Sequence, residues 1–171
     1  MAKRKSKSLF GKNGKFILVL VAVVTLCMAF LPAVKSTNGD NTYTGFDVMF
    51  GKSLGSVNIF VANGESSITF SILAVLGFML PLVGSIISAL LIKDKGIAGL
   101  ITCACFIASA VLLFLIPSIT SVSTTASTII TSGTTTTSTF KELGYELGIG
   151  SIIGASVSIV GALGSLYSVI K

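Results

Sequence analysis

With twelve basic residues, six acids and no histidine, this 171-residue chain has few ways to do chemistry. Histidine is the usual proton carrier near neutral pH, so serine–histidine and cysteine–histidine catalysis are excluded within the chain. The most closely spaced carboxylates are Glu142 and Glu146, with Lys141 beside them. On a helix an i, i+4 spacing puts both on one face. At the mouth of an apolar segment that face is a candidate cation access site. The competing explanation is a first helical turn, where negative charge is favoured by the helix dipole. Cys27, Cys103 and Cys105 all lie in apolar runs. With no histidine to complete a ligand set, they read as small hydrophobes rather than a metal or disulfide framework. No catalytic residue, cofactor or metal is assigned.

The run "GIGSIIGASVSIVGALGS", residues 148–165, carries the densest pattern in the chain. A dinucleotide fingerprint would need a preceding strand and a soluble sheet around it, and neither is expected here. A flexible linker would not fill its gaps with isoleucine, valine and leucine. Gly150, Gly154, Ser158, Gly161 and Ser165 instead recur at steps of four, four, three and four, which keeps them on one helix face. Small residues in register let another helix backbone approach closely. The neighbour is either in the same chain or in a partner, with the same chain favoured for a four-helix unit. In the second apolar segment Gly77, Pro81 and Gly84 predict a bend, since an internal proline removes one backbone bond. Such a bend shapes packing or lines a pathway.

The elements that position these residues follow from composition and charge. The chain is 52% hydrophobic and 11% charged, against about 25% charged for a soluble domain. That deficit points to a lipid-facing surface. Four apolar segments are expected as membrane helices, 16–34, 68–92, 97–117 and 145–170, with no charge inside them beyond Glu146 at the mouth of the last. Backbone groups in hydrocarbon must bond within their own helix, so each must be helical. The first is too long for a signal-peptide core, and "FLPAVKS" is a weak cleavage site. Residues 1–15 form a basic tail (Lys3, Arg4, Lys5, Lys7, Lys12 and Lys15) with no acid. The tail, the connector at 93–96 and Lys171 fall on one side, the cytoplasm, by the positive-inside rule. The tail can also touch anionic headgroups. Without aromatic interleaving it is not expected to bind nucleic acid.

Two outer connections remain. Residues 35–67 predict a small hairpin or sheet, with "FDVMFG" and "SVNIFVANG" as strands, a turn over 52–55 and another at Asn63-Gly64. Phe46, Met49, Phe50 and Phe60 would be its packing side. Residues 118–144 are dominated by serine and threonine. They predict either a solvated flap or a small strand, "STII", joining the first connection's sheet. Pro32 and Pro117 read as helix terminators.

The order of these segments resembles the claudin-type tetraspan arrangement, over the whole chain but as topology alone. The claudin first-loop signature of tryptophan, Gly-Leu-Trp and two cysteines is absent. The lysine-rich tail, the lack of loop cysteines and "TGFDVMFG" are similar to small bacterial membrane proteins of Gram-positive or wall-less type, a resemblance that implies no activity. The expectation is therefore an all-α membrane protein, a four-transmembrane-helix bundle with a small extracytoplasmic β element. Its place is the plasma membrane of a bacterium, with both termini cytoplasmic. Its expected role is non-enzymatic, through lateral or extracellular contacts with a membrane-protein partner or a second copy. The alternative is a small channel, transporter or accessory subunit.

Overall fold

The computed structural model describes residues 14–38, 40–59, 62–90, 95–128 and 131–170. The tail residues Lys3 to Lys12, Phe60, the pair Lys93-Asp94, the end of "STII" and Lys171 lie outside the described residues. The long helices are α1 (Gly14–Cys27), α3 (Ile72–Leu90), α4 (Lys95–Phe114) and α6 (Ile149–Ile170). Their uninterrupted apolar sequences favour intrahelical bonding. α4 packs on both α3 and α6, and α1 closes the arrangement by packing on α3 and α6. A single 3-10 turn, Met28–Phe30, extends α1.

An all-α four-helix membrane bundle is not the architecture. Seven strands form two antiparallel sheets of three and four strands, in the orders β2-β1-β7 and β3-β4-β5-β6. Among the described residues, only 96–114 and 149–167, of 19 residues each, are long and apolar enough to cross a membrane. At 1.5 Å per residue each spans about 28 Å, close to a hydrocarbon core of about 30 Å. The apolar helical stretches at 16–30 and 72–87 are shorter. The physical reason is that strands take over the ends of the apolar segments. Pro32–Ser36 is β1, Ile68 ends β4 (Ala62–Ile68), and Tyr145–Leu147 is β7. Ala33 and Val34 are apolar because they are buried in protein, fully shielded beneath α6 and α2.

The three-stranded sheet places β1 between β2 (Thr42–Thr44) and β7. Its register sets Lys35 opposite Glu146 and Val34 opposite Leu147. The four-stranded sheet joins both connections. β3 (Lys52–Ile59) and β4 form one hairpin, and β5 (Ser121–Thr128) and β6 (Thr131–Thr139) form the other. β4 pairs with β5 from Ala62–Thr128 to Ile68–Val122 without a register shift. The serine- and threonine-rich connection is thus a long hairpin added to the first sheet, and residues 52–55 begin a strand rather than a turn. Asn63-Gly64 lies inside β4, opposite Asn58 and Val57. Pro117 sits in the first turn of a short helix, α5 (Ile116–Ile119), and Pro32 opens β1.

"FDVMFG" is not a strand. Gly45–Phe50 forms α2, started by a capping box in which the Asp47 N–H donates to Thr44 Oγ1 at 3.2 Å and the Thr44 N–H donates to Asp47 Oδ2 at 3.0 Å. Two orphan donors of the first turn are thereby satisfied. Gly51, at φ +82, ends the helix. Met49 is buried, as expected, but Phe46 and Phe50 are exposed. One core cluster lies where helices meet sheets, around Val34, Val48, Met49, Phe78, Leu113 and Phe140. A second sits within the helices, around Leu18, Ala22, Cys103, Phe106 and Ala162.

Candidate functional site

The small-residue face of α6 turns inward. A Cβ placed on Gly150 would lie 2.9 Å from the carbonyl oxygens of Met28 and Leu31, so the end of α1 rests directly on it. At Gly154 the nearest atom would be Leu113 Cδ1, at 3.2 Å. At Gly161 a Cβ would come within 2.5 Å of Phe106 Cε1. Ser158 and Ser165 are fully buried. Ser165 donates to the Ala162 carbonyl at 2.8 Å, a bond within its own helix. The groove is filled by α1 and α4 of the same chain, so these five residues are brought together for internal packing.

Ser158 also belongs to a buried polar chain. Pro81 has no N–H to give the carbonyl of Gly77, four residues earlier in α3. Ser109 of α4 supplies the missing donor, its hydroxyl lying 2.5 Å from Gly77 O. Ser158 Oγ lies 3.2 Å from Ser109 Oγ, in hydrogen-bond contact. Three helices are thus tied through one vacated carbonyl, as helix interiors away from water require. Gly77 and Gly84 belong to the same contact. A Cβ at Gly84 would lie 2.6 Å from Cys105 Sγ, which gives Cys105 a packing role. Sequence inspection finds Pro81 but not its partner, because Ser109 is 28 residues away on another helix.

Glu142 and Glu146 do not share a helix face. Glu142 lies in the turn after β6, where its Oε2 accepts the Thr139 N–H at 2.8 Å and its own N–H donates to Thr139 Oγ1 at 3.3 Å. Hydrogen bonding of the carboxyl to Thr139, from the backbone N–H first and the hydroxyl second, holds it below its ordinary value. Glu146 is in β7. Gly144, at φ +76, reverses the chain between them, and its carbonyl accepts both the backbone N–H and the hydroxyl of Thr37. The pair is not assembled into one site. Nearby, Tyr43, Phe140 and Tyr145 pack together in tilted and edge-on contacts, with centroids 5.1 to 5.7 Å apart. Burial, with the contact from Tyr145, pushes the Tyr43 hydroxyl up to about 12. No group of three or more metal-ligating side chains gathers among the described residues.

Outside the helices the surface is hydroxylated. Ser123 and Thr137 face each other at 3.4 Å, Thr125 and Thr135 at 3.1 Å, and Ser66 and Thr124 at 3.3 Å. The β6 residues 133–137 are all exposed. β6 is one edge of its sheet and β3 the other. The edges differ in how they are closed. β3 carries Lys52, a register shift between Ser53 and Gly55, and Gly55 at φ +124. β6 also carries a register shift, between Thr131 and Thr134, and its Thr139 N–H is taken by Glu142, but from Thr134 to Ser138 it has no charge, no proline and no shift. Those are the devices that blunt an edge against pairing.

No family model matches the chain, and neither curated proteins nor solved structures yield a match.

Proposed function

We propose that this is a non-enzymatic membrane protein that works by strand pairing with a protein partner at the β6 edge. The observation that carries the proposal is the unblunted edge from Thr134 to Ser138, which ends where Glu142 takes the Thr139 N–H, beside a β3 edge that is blunted over residues 52–55. An open edge offers a row of backbone donors and acceptors, which an extended segment of another chain can complete. Membrane insertion is supported by the length and composition of α4 and α6 and by their exposed apolar side chains, such as Ile107, Val111, Val160 and Leu163. The open groove between them, lined by residues including Ile107, Ile159 and Leu166, is apolar throughout and suits an acyl chain. In this proposal α4 and α6 cross a bacterial plasma membrane, with the shorter α1 and α3 packed alongside. The basic tail, Lys93 and Lys171 lie in the cytoplasm, and both sheets lie outside.

The test introduces a photocrosslinking residue at Thr134 and identifies captured protein in intact membranes. Capture is expected in the unmodified background. It should be lost with Thr137→Pro, since N–H groups point alternately to β5 and to the open edge, and the Thr139 N–H, two residues on, turns away from β5 to Glu142. Equal capture in both backgrounds, or none in either, would count against pairing at this edge.

A further inference from the structure

Three phenylalanines form an exposed ladder where the helices end. Phe30 closes the 3-10 turn after α1, and Phe46 and Phe50 are one turn apart on α2. The Phe30 and Phe46 ring centroids are 4.6 Å apart, and those of Phe46 and Phe50 are 5.8 Å apart. Phe30 is 69% exposed and Phe50 58%. Rings of this size are ordinarily buried, and an exposed contiguous set marks a contact surface.

The rings are held rigidly. The opposite side of α2 buries Gly45, Val48 and Met49. A Cβ at Gly45 would lie 2.8 Å from the Ala29 backbone, so α2 lies flat on the end of α1. Its one charged residue, Asp47, is paired to Lys52 at 3.3 Å. A short helix with aromatic rings on one side and an ion pair on another has the form of a segment lying in a bilayer interface. Continuity identifies the occupant. The ladder prolongs the exposed apolar side of α1 that includes Leu20 and Val23. At the sheet ends of the other long helices, Phe70, Phe114 and Ile149 are exposed as well. Beyond this level β5 and β6 are dominated by serine and threonine.

We infer that Phe30, Phe46 and Phe50 are a lipid anchor seated at the boundary between headgroups and acyl chains on the sheet side. It fixes how deeply the helices sit and how far the sheet stands from the bilayer. The inference rests on the membrane insertion proposed above.

The chain has no tryptophan, so one introduced indole reports one position. Phe50→Trp and, separately, Phe30→Trp would be placed in phosphatidylcholine vesicles carrying bromine either near the headgroup or near the chain end. Val160→Trp reports the middle of α6, and Thr136→Trp reports the sheet. The expected result is a larger loss of Phe50→Trp and Phe30→Trp emission with shallow bromine than with deep bromine. Val160→Trp should show the reverse order, and Thr136→Trp no loss. Quenching of Val160→Trp without quenching at residues 30 and 50 overturns the anchor while leaving insertion intact. Stronger quenching of residues 30 and 50 by deep bromine overturns their boundary position. No quenching at any position overturns insertion itself.

Discussion

The bond from Ser109 to the carbonyl that Pro81 leaves open makes a prediction that depends on chemistry rather than on volume. Ser109→Ala removes the only side-chain donor seen at Gly77 O among the described residues. Ser109 and Ser158 are both fully buried. Leaving a buried acceptor unpaired costs about 1–3 kcal/mol. Interhelical bonds within membrane proteins average about 0.6 kcal/mol and reach about 1.7. The expected loss for Ser109→Ala is therefore about 1.5 kcal/mol. In a Pro81→Ala background, residue 81 regains an N–H and can close the ordinary helical bond to Gly77 O. Ser109→Ala then loses only its contact with Ser158, worth about 0.5 kcal/mol. The coupling is about 1 kcal/mol, larger than the additivity error of about 0.3–0.5. The cavity that Pro81→Ala creates appears in both legs and cancels. The assay is unfolding in mixed micelles followed by far-ultraviolet circular dichroism, for the two single variants and the double. An equal cost for Ser109→Ala with and without Pro81 would refute the repaired-carbonyl account.

Gly161→Ala and Gly164→Ala should move stability in opposite directions. The first forces a methyl group to 2.5 Å from the buried Phe106 ring, while the second meets only Leu18 Cδ2 at 3.6 Å. Overpacking of about 2–3 kcal/mol less a helix-propensity gain of about 1 predicts a net loss of about 1–2 at Gly161 and a gain of up to about 1 at Gly164; equal shifts in the same unfolding assay would contradict the inward placement of that face. Gly144→Ala should cost about 1–2 kcal/mol from backbone strain alone, because φ is +76 and no atom lies within 4 Å of the added Cβ, so a neutral result would contradict the left-handed turn. Burial pushes the Asp47 carboxyl up, but the bonds from Thr44 and the Lys52 ammonium together pull it below its ordinary value. Its contribution is then complete above the unfolded pKa of about 3.9 and lost as pH falls through the folded value. The melting temperature of Asp47→Asn should accordingly fall less steeply below about pH 4 than that of the unmodified protein, and parallel profiles would exclude the ion pair and cap as the cause.

Much of the helical framework was legible because lipid-scale apolar runs admit few other structures. Their ends were not. Hydropathy treats Ala33, Val34 and Ile68 as more helix, yet they are apolar because they sit in strands or strand ends against a protein core. The α6 pattern was readable as a packing face because small residues at helical spacing have few other uses. Which helix fills that face required Phe106, Leu113 and Met28 to be placed in space. The alternation in "FDVMFG" points to a strand, although Thr44 and Asp47 at cap spacing mark a helix start. Threonine's preference for extended backbone pointed to strands in the second connection, but not to their register. With hydroxyls on both faces, nothing in the pattern tells one register from another. Glu142 and Glu146 failed as a pair because Gly144 between them breaks the helix on which the spacing depended.

The pairing of β4 with β5 has a consequence for how the protein is made. Ile68 and Ser121 bracket the sheet's middle seam, yet all of α3 and α4 is synthesised between them. At about 5–20 residues per second, the β3–β4 hairpin waits on the order of 3–10 s before its partner strand leaves the ribosome. Throughout that interval β4 is itself an open edge, available to any extended chain nearby. Correct assembly therefore depends on a race between the arrival of residues 121–128 and capture by the wrong strand. Conditions that slow translation through the α4 region should lengthen the exposure, with no change to the finished protein.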